Sequence, residues 1–136
     1  MGWLPTGLWK RRKRILIIED SPSTSTVIVD ILRSFNYEAI VASTGAEGLT
    51  LIQSQRPDLV LLDVILPDTN GTIICQRLKA DPATRDIPVV YLTSKSESTI
   101  EAGRTTHSAD GYLTKPVSQW QLINRIENVF NHRGSD

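Results

Sequence analysis

Cysteine is nearly absent. Cys75 stands alone among 136 residues, so no internal disulfide can form, and a reducing setting, the cytoplasm, is expected. No apolar run approaches the roughly 18 residues needed to cross a bilayer. The start also reads as a poor signal peptide. In "MGWLPTGLWKRRKR" the charges follow the apolar residues, and no long apolar region or small-residue cleavage site comes next. Net charge is zero, with 15 basic and 15 acidic residues, so the overall balance points neither to a nucleic-acid binder nor to an acidic tail. Internal repeats, low-complexity tracts and a second domain are also lacking.

The zero balance hides an asymmetry. Residues 10–14 are all basic, and the remaining residues carry all the acids. Residues 1–14 therefore read as a basic and aromatic N-terminal extension, 15–132 as one domain, and 133–136 as a tail. Hydrophobic residues make up 40% of the chain, enough to fill a core.

Within the domain, short apolar blocks alternate with amphipathic ones. "ILIIED" (15–20), "YEAIVA" (37–42), "DLVLLD" (58–63), "IPVVYLT" (87–93) and "DGYLT" (110–114) read as strands. Helices are expected over 21–35, 43–55, 70–81, 96–107 and 117–130. Ser21 is a candidate N-cap, with Pro22 at the first helical position. The inward residues expected are Val27, Ile28, Ile31, Leu32 and Phe35; Ala46, Leu49 and Ile52; Ile73, Ile74 and Leu78; and Trp120, Ile123, Ile126 and Phe130. Gly45 and Gly48 weaken the second helix. The helix over 96–107 is polar, with few anchors. No strand alternates as a half-exposed antiparallel strand does. The α/β class follows: a doubly wound, five-stranded parallel sheet with five helices.

In such sheets, sites form at the carboxyl ends of the strands. Here those ends carry Glu19-Asp20, Asp63, Thr93-Ser94 and Thr114-Lys115-Pro116. Three acids brought together repel one another unless a cation joins them. Hard oxygen ligands in partial number suit Mg2+. A lysine and a threonine hydroxyl beside them can hold a further anion. These are the parts for phosphoryl transfer onto a carboxylate.

"IIED", "LLDVILPDTNG", "VVYLTS" and "DGYLTKP", in that order and each at an expected strand end, resemble the receiver domain of bacterial two-component response regulators, the CheY-like (flavodoxin-like) fold. The resemblance covers about residues 14–132. It implies that Asp63 is the phosphoacceptor and that Asp20 ligates Mg2+ directly. It further implies that Glu19 acts through a metal-bound water and that Ile65 contributes its backbone carbonyl. Lys115 would pair with the phosphoryl group, before a typically cis bond to Pro116. Thr93 would be the switch hydroxyl, Tyr112 the aromatic that follows it inward, and Gly71 the residue closing the loop. Ile65 and Lys95, each two residues beyond a motif residue, stand where the family tunes attack by water. Branched, apolar Ile65 cannot orient a water, so a long-lived phosphoaspartate is expected.

The implied function is a stand-alone phosphorylation switch, not a metabolic enzyme, that helps catalyse its own phosphorylation and dephosphorylation. Its donor would be a histidine kinase or phosphotransfer protein. Its target would be a protein docking on the fourth helix, fifth strand and fifth helix, with a phosphorylation-linked homodimer as a further partner. No DNA-binding domain is expected. Other readings stay open. Asp63 could serve an aspartyl-phosphate hydrolase, which needs a second acid where Ile65 stands. The basic arm could bind nucleic acid or a membrane surface. "EDSPSTST" could wrap a cofactor phosphate, although its two acids oppose one. Tyr112 could be a packed aromatic, and Glu19 a bystander. Cys75 reads as core, Asp68 as a loop acid, and His107 and His132 as surface residues.

Overall fold

The structure is a computed structural model that describes residues 12–94 and 109–134. The expectations for most of the N-terminal arm, Lys95, the helix over 96–107 and His107 lie outside those residues. Strands β1 (Arg14–Ile18), β2 (Glu38–Ala42), β3 (Leu59–Asp63), β4 (Val89–Thr93) and β5 (Gly111–Thr114) alternate with helices α1 (Pro22–Ser34), α2 (Gly45–Gln55) and α3 (Gly71–Ala80). Helix α4 (Gln119–Gly134) closes the order and runs past its expected end at residue 130. Four helices are thus present among the described residues.

All strand pairs are parallel, in the order β2-β1-β3-β4-β5. The unbroken apolarity of the central strands has a direct cause. Ile15, Ile17, Leu59 and Leu61 face a core shared with Ile28 and Leu32 of α1 and Leu122 and Ile126 of α4. Leu16, Ile18, Val60 and Leu62 face the opposite core, with Ile52 of α2 and Ile74, Cys75 and Leu78 of α3. Alternate residues point to opposite faces, and both faces are covered, so the positions between the strand ends are all apolar or aromatic. Each such side chain contributes roughly 1.5–3 kcal/mol on burial.

Ser21 caps α1 through the amide of Thr24, and Pro22 follows in the first turn, as the residue types predict. The helix phases differ from expectation at five positions. Val27, Phe35, Ala46, Ile73 and Trp120 are exposed, not inward. In α3 the inward arc is Ile74, Cys75 and Leu78, which turns Ile73 to the flank. In α4 the core contacts fall on Leu122, Ile123, Ile126 and Val129, leaving Trp120 in the first turn 74% exposed. In α2 the glycines are inward: a Cβ on Gly48 would collide with Ile18 of β1. The glycines that count against a helix by propensity are what let this one lie close to the sheet.

Candidate functional site

The parallel register sets four strand ends side by side. Ile18 pairs with Leu62, so Glu19 comes level with Asp63. Asp63 pairs with Leu92 and Thr93 with Thr114, which steps the edge on to Lys115. Glu19 and Asp63 are buried, at 2% and 4% exposure, while Asp20 is exposed. The Lys115 ammonium reaches both buried acids, donating to Glu19 Oε1 at 2.9 Å and Asp63 Oδ2 at 3.2 Å. The bond from Lys115 to Pro116 is cis, as the resemblance implies.

One ammonium does not balance this pocket. Burial, and then the charge of Glu19, push the Asp63 carboxyl up to about 6, against the pull of Lys115. Burial also raises Glu19, but the bonds from Lys115 and the Ser21 amide outweigh it and hold Glu19 below its ordinary value. Lys115 shows the converse. Burial lowers it, yet its two carboxylate partners lift it above the usual lysine range. It therefore stays charged, while the Asp63 carboxylate is destabilised by burial and excess negative charge.

The loop after β3 is a small hairpin. Ile65 and Asn70 form an antiparallel bridge, the Leu66 amide donates to the Thr69 carbonyl, and the Gly71 amide donates to the Val64 carbonyl. The Ile65 amide donates to Asp63 Oδ1 at 3.2 Å, while its side chain points out at 60% exposure. Gly71 opens α3 directly beneath Asp63: a Cβ there would strike the Asp63 backbone carbonyl. That steric need explains the glycine at the end of the motif.

Thr93 ends β4 fully buried, and its hydroxyl has no hydrogen-bond partner among the described residues. Buried polar groups are nearly always bonded, so this donor is available to an anion. Tyr112 lies apart from the pocket. It is 38% exposed and, with Trp120, Asn124 and Arg125, lines a cavity of about 340 Å3 between β5 and α4. Sequence reasoning missed Asp68. Its two oxygens accept from the Gly45 and Ala46 amides, at 2.8 and 3.0 Å, so it caps α2. Those bonds hold its carboxyl below the ordinary range. A caplike Asp was readable from its type, but not the helix, 23 residues back, that it caps.

Glu19, Asp20 and Asp63 each offer an oxygen, all within 4.8 Å of one another. This all-oxygen set, exposed on one side and carrying uncompensated negative charge, fits a hard divalent cation that keeps some of its waters, such as Mg2+. Among the described residues no helix is long and apolar enough to cross a membrane.

The family model described as "Response regulator receiver domain" matches residues 15–127. The chain is 36% identical over 115 residues to the DNA-binding response regulator MtrA of Mycolicibacterium smegmatis, covering 85% of this chain and 49% of that protein. It thus spans about half the length of that relative. Protein PilH of Pseudomonas aeruginosa is 34% identical over 116 residues, which cover 85% of this chain and 96% of PilH. Among solved structures, the N-terminal domain of a response regulator receiver protein from Methanoculleus marisnigri is 40% identical. Its TM-score is 0.70, with 85% of this chain and 94% of that one covered.

Proposed function

Because the chain belongs to the response regulator receiver domain family, we propose that it is a phosphorylation switch with Asp63 as phosphoacceptor. The observation that carries this reading is the buried Glu19–Asp63 pair bridged by one lysine. An Asp63 oxygen attacks the phosphorus of a phosphohistidine, on a histidine kinase or phosphotransfer protein. A P–O bond forms, the N–P bond breaks, and its electron pair leaves on the imidazole. Lys115, kept protonated by its two carboxylate partners, neutralises charge on the incoming phosphoryl group. The Thr93 hydroxyl donates to one of the phosphoryl oxygens. Asp20, Asp63, the Ile65 carbonyl and, through a water, Glu19 would hold Mg2+, which when bound neutralises phosphoryl charge. Since these groups all belong to the chain, it assists both its own phosphorylation and its own dephosphorylation.

The output follows from Thr93. Drawing its hydroxyl toward the phosphoryl group vacates space behind it, into which Tyr112 turns from its half-exposed position. The face of β5 and α4 then changes shape for a downstream protein or a second copy of the chain. Ile65, projecting beside the acceptor, excludes a water from in-line attack and gives the phosphoaspartate a long life. The hydrolase alternative is disfavoured, because an exposed isoleucine stands where its second acid is needed.

The test is mass spectrometry after incubation with MgCl2 and acetyl phosphate, for the wild type and Asp63→Asn. One phosphoryl group gained by the wild type alone is the expected result. A gain by both proteins would move the acceptor elsewhere. No gain, with no Mg2+ binding, would end the switch reading.

A further inference from the structure

We propose that Asp68 is a positioning residue: by bridging the tip of the β3–α3 hairpin to the N-terminus of α2, it sets the backbone of Ile65 against Asp63. The inference rests on the switch reading above and adds a part that none of the four motif roles covers.

The hairpin 64–71 carries the groups the acceptor needs, namely the Ile65 amide on Asp63 Oδ1 and the Ile65 carbonyl. Its base is held by β3 and by the Gly71 amide on Val64. Its tip, Pro67 and Asp68, is exposed. A two-residue tip held only by its own bridge would be free to rock about that base. Asp68 removes this freedom with two bonds to another element, at the Gly45 and Ala46 amides. A helix leaves its first N–H groups unpaired and carries partial positive charge there, so a carboxylate is a strong match.

A second observation is independent of the carboxylate. A Cβ on Gly45 would meet the Thr69 methyl at 2.6 Å and Asp68 Oδ1 at 3.4 Å, so the glycine gives the tip room to seat. Thr44, meanwhile, caps the same helix through the Glu47 amide, a bond within its own first turn that does not reach the hairpin. The helix thus has two caps. One serves the helix, and the other ties it to the site.

That difference supplies the control. Thr44→Ala and Asp68→Ala both remove a cap and should lower the unfolding midpoint alike. Only Asp68→Ala should weaken Mg2+ binding in calorimetric titration, on the order of tenfold as for other groups that orient a metal ligand. It should also speed hydrogen exchange at the Ile65 and Gly71 amides and slow phosphorylation by acetyl phosphate. Asp68→Asn, which keeps one acceptor oxygen, should fall between. If Asp68→Ala matches Thr44→Ala in stability and leaves Mg2+ affinity and exchange at Ile65 and Gly71 as in the wild type, the proposal is wrong. A wild type that binds no Mg2+ would defeat the switch reading, and the exchange rates alone would then decide whether Asp68 positions the hairpin.

Discussion

β3 and β5 both deliver a residue to the same pocket, yet they are built in opposite ways. All five residues of β3 are buried, and its end is fastened by Gly71 beneath Asp63 and by the Asp68 bridge to α2. β5 has four residues, of which only Leu113 is buried, and its Tyr112 lines an open cavity beside exposed Trp120. On the proposed reading the acceptor must be held still, because misplaced reacting groups lose much of their rate. On the same reading the readout must move, and movement is easiest where little apolar contact is broken. The same sheet supplies both by changing how much of each strand it covers.

The largest effect should come from breaking the fastened side. Gly71→Ala puts a methyl against the Asp63 carbonyl and should cost about 2–3 kcal/mol in urea unfolding. Alanine favours an ordinary helix position by about 1 kcal/mol, so a net loss would isolate the clash. On the open side, Gly111→Ala meets only the flexible Arg125 side chain, at 3.1 Å. It should cost under about 1 kcal/mol, and equal losses at the two glycines would undo the contrast.

A second effect comes from charge stored at the fastened side. The Asp63 carboxyl sits at about 6, above its ordinary 3.8. Between those values the folded protein holds more protons than the unfolded chain, so stability falls as pH rises through that window. Above it the cost is complete, roughly 1–3 kcal/mol at 1.36 kcal/mol per pH unit. Asp63→Asn should therefore be more stable than wild type at pH 7 without Mg2+, and should lose that advantage below about pH 4. Wild-type stability above Asp63→Asn at pH 7 would show that the pocket is balanced without a metal.

Smaller still is the effect of Ile65. Replacing it by asparagine should shorten the phosphoaspartate lifetime several-fold, a barrier change of about 1 kcal/mol, followed by the decay of the phosphorylated mass. Slower decay would remove the water-exclusion argument. Least of all, Trp120→Ala should change stability by under about 0.5 kcal/mol, while the intrinsic fluorescence change on phosphorylation should shrink. A large loss of stability would mean that the open face is packed in solution.

The central strands β1, β3 and β4 were legible because burial on both faces leaves almost no polar position to confuse the pattern. The pocket was legible because a parallel sheet must bring its carboxyl ends to one edge. That much follows for Glu19, Asp20, Asp63, Thr93 and Lys115 from order along the chain. Helix phase was not fully legible. Ile73 and Ile74 are equally apolar, and only packing against β3 and β4 selects Ile74. Trp120 is the largest apolar side chain near α4, but it lies more than about 100° around the helix from the arc of Leu122, Ile126 and Val129 that meets the core. Asp68 was hidden because its partner, Gly45, is adjacent only after β2 and β3 have both paired with β1.

Cys75, the protein's single thiol, is packed without exposure between α3 and the sheet. The molecule is therefore chemically silent toward thiol reagents while that helix stays seated. A cysteine placed on the open face could carry one dye or spin label with the native thiol left in place. Any slow modification of Cys75 itself would count how often the helix beginning at Gly71 lifts away, a clock for the fastened side.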